Sequence, residues 1–235
     1  MRRIAIVTGA SSGLGCEISF ELSKQDYHII AIGRNEVGLK NTYKKIKNIN
    51  QKCTVIILDL NKKDFVDKLK RKIDKMDGNV ELIVNNAGLG VFDKIENINF
   101  EDWERQISIN LTSAFLLTQA FIKKMKKNKN GILVYINSVA GKKAYPYSSA
   151  YVASKFALRG FADSIREELR DFNIKVISIF PGSINTPFWN NIDVDYPKDE
   201  MMEASDVAVV VADAVRNKGV SVVEELLIRR NKGDF

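Results

Sequence analysis

The chain has 235 residues and a mass of 26.5 kDa, with 45% apolar and 28% charged residues, an ordinary globular composition. This composition excludes a mainly disordered chain, and no apolar run reaches the roughly 18–20 residues of a membrane helix. The formal charge is +7, but the one dense lysine run, residues 123–129, has no interleaved aromatic residues and no recognition motif. We therefore expect one domain over residues 1–235, with neither a nucleic-acid nor a membrane partner.

The cysteine and histidine counts narrow the chemistry further. Two cysteines, Cys16 and Cys53, lie far apart in the sequence, and there is one histidine, His28. Unpaired thiols are typical of a reducing, cytoplasmic compartment. A single histidine excludes most mechanisms that need a histidine triad or several histidine ligands, and we expect no metal site.

Seven short apolar runs alternate with segments of helical spacing. The runs are Ile4–Thr8, His28–Gly33, Thr54–Asp59, Leu82–Asn85, Ile132–Asn137, Lys175–Phe180 and Glu225–Arg229. Their richness in isoleucine and valine is typical of strands buried on both faces. The alternation predicts an α/β fold, a doubly wound parallel sheet of about seven strands with helices on both faces.

The helical segments and one long loop complete this pattern. Helices are predicted near residues 13–25, 65–73, 100–125 and 148–172. The irregular segment near 183–204 is predicted to be a substrate loop. Its aromatic residues, Phe188, Trp189 and Tyr196, either form an apolar wall for substrate or pack the loop onto the core.

Residues 8–15, TGASSGLG, lie directly after the first predicted strand and open the first predicted helix. Glycines in this position allow a tight turn and close approach of a pyrophosphate to the helix N-terminus. The loop therefore predicts a dinucleotide site. Its predicted cofactor contacts are Gly9, Ser11, Ser12, Gly13, Leu14 and Gly15.

The second predicted strand ends in Gly33-Arg34-Asn35. An acid at this position would hold the ribose hydroxyls of NAD, whereas the guanidinium of Arg34 suits a 2′-phosphate in charge and geometry. The sequence thus predicts NADP(H). Asp59 either accepts from the adenine amino group or caps the next helix. The other predicted contacts near these strand ends are Asn35, Leu60, Asn86, Ala87 and Gly88.

Tyr151 and Lys155 are four residues apart in a predicted helix, which places them on one face. A nearby ammonium lowers the pKa of a phenol and suits it to acid–base work. Ser138 follows the fifth predicted strand and can donate to a carbonyl oxygen. Asn110 is a polar residue inside the long predicted helix.

Together these motifs resemble the short-chain dehydrogenase/reductase family over about residues 1–190. The resemblance is carried by the glycine loop, Asn85–Gly88 (NNAG), Asn110, Ser138, Tyr151–Lys155 (YVASK), Pro181-Gly182 and Thr186. It implies a Rossmann-type fold, a nicotinamide cofactor, and hydride transfer at a carbonyl or secondary alcohol, for which we expect a substrate of the small ketone, diketone or 3-hydroxy acid type. It also implies a homotetramer or homodimer.

The resemblance assigns a role to each matching residue. Tyr151 would protonate the carbonyl oxygen, and Lys155 would hold the nicotinamide ribose and depress the Tyr151 pKa. Ser138 would orient the substrate oxygen, and Asn110 would hold a water in a proton relay to Lys155. The residues implied to line the nicotinamide and its phosphate are Pro181, Gly182, Ile184 and Thr186.

The C-terminal segment leaves the substrate open. Residues 221–235 read SVVEELLIRRNKGDF, unlike the glycine-rich ending of 3-oxoacyl-carrier-protein reductases and more similar to 3-hydroxy-acid dehydrogenases and small ketone reductases. A 3-oxoacyl-carrier-protein reductase remains one alternative, since the basic surface suits an acidic carrier. A non-catalytic NADP-binding sensor is a second alternative.

Overall fold

The computed structural model describes residues 2–192, 197–217 and 219–233. Its strands are β1 (Arg3–Thr8), β2 (His28–Gly33), β3 (Cys53–Ile57), β4 (Asn79–Asn85), β5 (Gly131–Ile136), β6 (Ile174–Pro181), β7 (Ile184–Asn185), β8 (Met202–Glu203) and β9 (Glu225–Ile228). Seven of them form a parallel sheet in the order β3-β2-β1-β4-β5-β6-β9. This confirms the predicted doubly wound Rossmann-type sheet. The pair β7-β8 forms a small second sheet that the sequence pattern did not predict.

The helices are α1 (Gly13–Ser23), α2 (Glu36–Lys47), α3 (Phe65–Ile73), α4 (Phe100–Ile107), α5 (Ser113–Asn128), α6 (Ser149–Leu169) and α7 (Ala204–Arg216). The long helix predicted near 100–125 is instead two helices, α4 and α5, joined by the π-helical turn Ser108–Thr112. Among the helices in the described part of the chain, none has the length and apolarity needed to cross a membrane.

The alternation of side chains along the strands fills two cores, one on each face of the sheet. Ala5 and Val7 point to the core that contains α1, α2 and α7. Ile4 and Ile6 point to the core that contains α3, α5 and α6. All four are fully buried, and burial of an isoleucine or valine contributes about 1.5–3 kcal/mol. Since the sheet is covered on both faces, its exposed functional edge is the one formed by the strand carboxyl ends.

Local side-chain bonds fix where the helices nearest this edge begin. Asn35 caps α2 by accepting from Gly38 N at 3.0 Å, and Asn99 caps α4 by accepting from Asp102 N at 2.8 Å. The residue that precedes α3 is Asp64, not Asp59. The helix-cap interpretation of Asp59 is therefore wrong.

Candidate active site

The glycine loop between β1 and α1 is an open backbone cradle. Gly9 and Gly13 have φ of +66° and +50°, values that glycine adopts without strain. α1 begins at Gly13, so the N–H groups of its first turn face the loop. Within the described residues the Ser12 side chain does not cap this turn. The cradle fits a pyrophosphate because backbone donors and the Ser12 hydroxyl meet there and its glycines add no side chain of their own.

Asn86 ties this loop to the segment after β4. Its Nδ2 donates to Thr8 O at 2.9 Å, and the backbone N–H groups of Asn86 and Ala87 each donate to Thr8 Oγ1 at 3.0 Å. The neighbouring Asn85 does not share this role: its Nδ2 is buried and has no hydrogen-bond partner among the described residues. Of the two asparagines, Asn86 therefore joins the adjacent loops, while the Asn85 amide does not.

Arg34 lies just past the end of β2 and is exposed. Across the described ranges it has no ion pair or side-chain hydrogen bond, so its guanidinium is available to a ligand. The next residue, Asn35, uses its side-chain oxygen to cap α2. The side chain of Asn35 is thus committed to the helix, while that of Arg34 is not.

Asp59 and Leu60 lie beyond the end of β3, not within the strand as predicted. Asp59 Oδ1 accepts from Asn61 N at 3.0 Å, which stabilises a local turn. The Leu60 side chain is buried in the core beside α3. The second Asp59 oxygen is the group that remains for a contact with adenine.

Asn110 lies in the π-helical turn and is 2% exposed. Its Oδ1 accepts from Leu89 N at 2.9 Å, and its Nδ2 donates to Leu89 O and to Ser154 Oγ, both at 2.9 Å. Ser154 Oγ in turn donates to Tyr151 O at 2.7 Å. Both amide protons are used, so the side chain joins the segment after β4 to α6 next to Tyr151.

Ser138 and Tyr151 form the reactive pair. Ser138 follows β5, and its Oγ accepts from Ala140 N at 3.1 Å, which fixes the side chain. Burial raises the pKa of Tyr151 to about 12, and a hydrogen bond with Ser138 opposes this rise. The predicted lowering of the Tyr151 pKa by Lys155 is not found. The reason is that burial is the dominant influence here and disfavours the phenolate.

Lys155 is 4% exposed, and its ammonium donates to Ile136 O at 3.0 Å. Nζ lies 5.7 Å from the centre of the Tyr151 ring. Burial lowers the pKa of Lys155 to about 8, so the group is mainly charged at neutral pH. Asn137 fixes the backbone of Lys155, since Asn137 Nδ2 donates to Lys155 O at 3.1 Å.

The segment after β6 closes the site from the other side. Pro181 ends β6, and Gly182 N donates to Ile228 O at 2.8 Å. Ile184 is buried and pairs with Met202. Thr186 approaches the glycine loop so closely that a Cβ on Gly13 would lie 2.9 Å from Thr186 Cβ. The predicted cofactor residues from both ends of the sequence therefore converge.

Aromatic rings surround Tyr151. Its ring centre lies 5.3 Å from that of Phe92 and 5.9 Å from that of Phe188. Trp189 lies 5.4 Å from Phe188, and its Nε1 donates to Ile184 O at 2.9 Å. Phe188 thus contacts Tyr151, while Trp189 packs on Phe188 and anchors the loop. Tyr196 lies outside the described residues.

Sequence reasoning missed four residues that shape the site: Thr8, Phe92, Asn137 and Ser154. Thr8 and Asn137 are polar residues at the carboxyl ends of apolar runs, which is a signal that could have identified them. Ser154 lies inside the Tyr151–Lys155 motif but faces Asn110. Phe92 gave no local signal, because its partners are distant in sequence.

Comparisons with known proteins agree with this geometry. The family model described as short chain dehydrogenase matches residues 3–197. The sepiapterin reductase of Chlorobaculum tepidum is 30% identical over 100% of this chain and 99% of its own length. A metagenomic short-chain oxidoreductase, solved in complex with NADP, has a TM-score of 0.85 at 29% identity, covering 97% of each chain. A variant of the actinorhodin polyketide ketoreductase, solved with NADPH, has a TM-score of 0.90 at 26% identity, covering 99% of this chain and 98% of its own.

Proposed function

The chain belongs to the short-chain dehydrogenase/reductase family and is an oxidoreductase, and we propose that it transfers hydride between NADP(H) and a carbonyl or secondary alcohol substrate. The observation that carries this proposal is the convergence of Ser138, Tyr151 and Lys155 beside the glycine cradle. Substrates of the small ketone, diketone or 3-hydroxy acid type suit a site of this kind.

The cofactor assignment rests on the cradle and on one cation. NADP or NADPH is bound in two of the solved relatives. In this chain the loop from Gly9 to Gly15 would hold the pyrophosphate, and Thr186 would close over it. Arg34, with Ser11 or Ser12, would hold the 2′-phosphate through charge-assisted hydrogen bonds. Lys155 would hold the nicotinamide ribose.

Each residue near the substrate carbonyl has a separate role in its reduction. Bound NADPH would supply the hydride for the carbonyl carbon. Tyr151 donates its hydroxyl proton to the carbonyl oxygen, and Ser138 donates a hydrogen bond that holds this oxygen in place. The Lys155 ammonium would stabilise the phenolate left on Tyr151, which would regain a proton from solvent through Lys155 and a relay water held at Asn110. Asn110 positions α6 and the segment after β4 around this exchange.

The two alternatives are less well supported. A carrier protein is acidic, but the rings that contact Tyr151 are the uncharged side chains of Phe92 and Phe188. A cofactor-binding sensor has no need of a Ser138–Tyr151 hydrogen bond or of a buried lysine. We therefore place a small-molecule reductase first.

Assembly, domain organisation and location belong to the same proposal. One nucleotide-binding domain over 1–235 would form a homotetramer or homodimer in the cytoplasm. Phe115 and Phe156 are 40% and 43% exposed on α5 and α6, which supports pairing of these helices between subunits. Phe161, by contrast, packs its ring 6.0 Å from Phe115 and 5.8 Å from Tyr135 inside one subunit. Light scattering at micromolar concentration tests the assembly, and a mass near 26.5 kDa contradicts it.

Oxidation of NADPH and NADH with a panel of ketones and diketones tests the reaction. We expect turnover with NADPH, and Tyr151→Phe should lower it about 10²–10⁴-fold while NADPH binding is retained. The ring of residue 151 survives this change and only the proton donor is lost. Turnover of the variant within twofold of the parent would remove Tyr151 from the mechanism.

A further inference from the structure

Asn137 lies between two residues of the reactive site. It directly follows β5, is 3% exposed, and its backbone N–H donates to Ile179 O at 2.7 Å, which holds it against β6. Its side-chain Oδ1 accepts from Ser138 N at 2.9 Å, and its Nδ2 donates to Lys155 O at 3.1 Å. One buried amide therefore joins the backbone of Ser138 to that of Lys155.

The two bonds need an amide at residue 137. The side chain meets an N–H donor on one side and a carbonyl acceptor on the other, so it must accept at one atom and donate at the other. An amide does both, whereas a carboxylate only accepts and an apolar side chain does neither. The turn after Ser138 packs so closely on this amide that a Cβ on Gly141 would overlap Asn137 Oδ1 and lie 3.1 Å from Lys155 O. Neighbouring backbone thus encloses the amide and holds it in place.

Lys155 is held at both ends by adjacent residues of the chain. Asn137 binds its backbone oxygen, and its ammonium donates to Ile136 O at 3.0 Å. A lysine side chain is long and flexible, so bonds at its backbone and at its tip together fix the position of the ammonium. An ammonium has three protons. One of them is used at Ile136 O, and two remain for other partners.

We propose that Asn137 is a positioning residue, which holds Lys155 for the nicotinamide ribose and Ser138 for the substrate oxygen. This rests on the proposed function, in which Lys155 and Ser138 have these roles. Without the donor at residue 137, α6 loses a bond to the end of β5 at Lys155. The ammonium is then free to shift from the ribose, and small shifts weaken contacts that depend on distance and orientation.

A double-mutant cycle on NADPH affinity tests the link to Lys155. Asn137→Asp keeps an acceptor for Ser138 N, but a carboxylate cannot donate to Lys155 O. We expect the NADPH dissociation constant to rise about three- to tenfold, the effect of one lost hydrogen bond. In Lys155→Met no ammonium remains to be positioned, so the same change should leave the constant within about twofold, although the free energy of unfolding falls in both backgrounds. An equal loss of NADPH affinity in both backgrounds, or no loss in the parent chain, would overturn the proposal.

Asn173→Asp is the matched control. Asn173 Nδ2 donates to Lys129 O at 3.0 Å, which is the same kind of bond. Asn173 directly precedes β6 and so lies at the end of the sheet opposite to Ser138. Its variant should bind NADPH as the parent does. A loss of affinity equal to that of Asn137→Asp would contradict the proposal, because the effect would then not depend on contact with the site.

Asn137→Leu separates the effect on Ser138 from the effect on Lys155. Leucine has a similar size but removes the acceptor as well as the donor, so Ser138 N is also released. With a ketone that the parent reduces, both variants should raise the KM for NADPH, and kcat should fall about threefold further in Asn137→Leu than in Asn137→Asp. Equal kcat in the two variants would overturn the role of Asn137 at Ser138. If the parent reduces no carbonyl with either cofactor, the proposed function fails, and the NADPH cycle still decides whether Asn137 acts through Lys155.

Discussion

The two halves of the site are built by different means. The cofactor half is made from backbone: the positive-φ glycines Gly9 and Gly13 and the contacts that join Thr8 to Asn86. The substrate half is made from side chains: the Ser138–Tyr151 pair, the buried Lys155 and the rings of Phe92 and Phe188. The first half therefore tolerates almost no added atoms, whereas the second is sensitive to changes of chemistry at constant shape.

Gly15→Ala tests the backbone half most severely. A Cβ at this position would overlap both Gly9 O and Asn86 Nδ2, so the cradle must move. We expect NADPH affinity to fall about ten- to a hundredfold, from an overpacking cost of about 1–3 kcal/mol. The dissociation constant measured by NADPH fluorescence checks this.

Gly160→Ala is the matched control. Gly160 lies in α6, and a Cβ there meets nothing within 4 Å among the described residues. Its NADPH affinity should be unchanged, and its free energy of unfolding should rise by about 0.4–1 kcal/mol. If both variants bind NADPH with equal affinity, close packing around the backbone at Gly15 is not what limits cofactor binding.

The pH dependence tests the side-chain half. The pKa of Lys155 is lowered to about 8 and that of Tyr151 is raised to about 12. Below pH 8 the lysine is charged and the tyrosine is protonated, as reduction requires. As pH rises through 8, Lys155 loses its proton first, so kcat/KM for NADPH should fall about tenfold for each further unit. Initial rates measured from pH 6 to 10 test this fall in kcat/KM.

The variant Lys155→Met tests whether the fall in kcat/KM above pH 8 comes from deprotonation of Lys155. The variant should bind NADPH weakly and show no further loss of affinity between pH 7 and 10, because no lysine remains to titrate. Circular dichroism at each pH confirms that the fold persists. If kcat/KM of the parent stays constant up to pH 10, the essential ionisation is not that of Lys155. The same follows if the variant still loses affinity for NADPH as the pH rises.

The two halves also differ in how far the sequence predicts them. The glycine loop and the Tyr151–Lys155 spacing are local patterns, and in the structure both adjoin the segment that follows β4. The π-helical turn at Asn110 was not predicted, because it depends on bonds to Leu89 and Ser154, which lie far away in the chain. Phe92 was missed for the same reason.

The error over the Tyr151 pKa has a related physical origin. The sequence shows that an ammonium lies one helical turn from the phenol, but it does not show how deeply both groups are buried. In the structure burial raises the Tyr151 pKa, and the hydrogen bond with Ser138 is the influence that opposes this rise. The helix-cap interpretation of Asp59 failed similarly, since the end of β3 and the start of α3 depend on tertiary packing.

Arg34→Ala tests the one part of the cofactor half that depends on a side chain. Since Arg34 is exposed and available to a ligand, its loss should affect only the 2′-phosphate. We expect the KM for NADPH to rise about tenfold and that for NADH to stay within twofold. Arg71→Ala, at an exposed arginine on α3, should change neither. An equal rise in KM for both cofactors would show that Arg34 does not bind the 2′-phosphate.

Gly88→Ala tests the boundary between the halves and should have the smallest effect. A Cβ on Gly88 would lie 3.4 Å from Asn110 Oδ1 and 3.6 Å from Lys155 Nζ, which is ordinary van der Waals contact. The methyl group therefore fits, but it takes the space in which a relay water would bridge Asn110 and Lys155. Displacing such a water should lower kcat about three- to tenfold, while the unfolding midpoint stays that of the parent. If Gly88→Ala instead lowers the unfolding midpoint, close packing around the backbone limits this position too, and the division into two halves fails. If kcat is unchanged, no water at this position takes part in the proton relay.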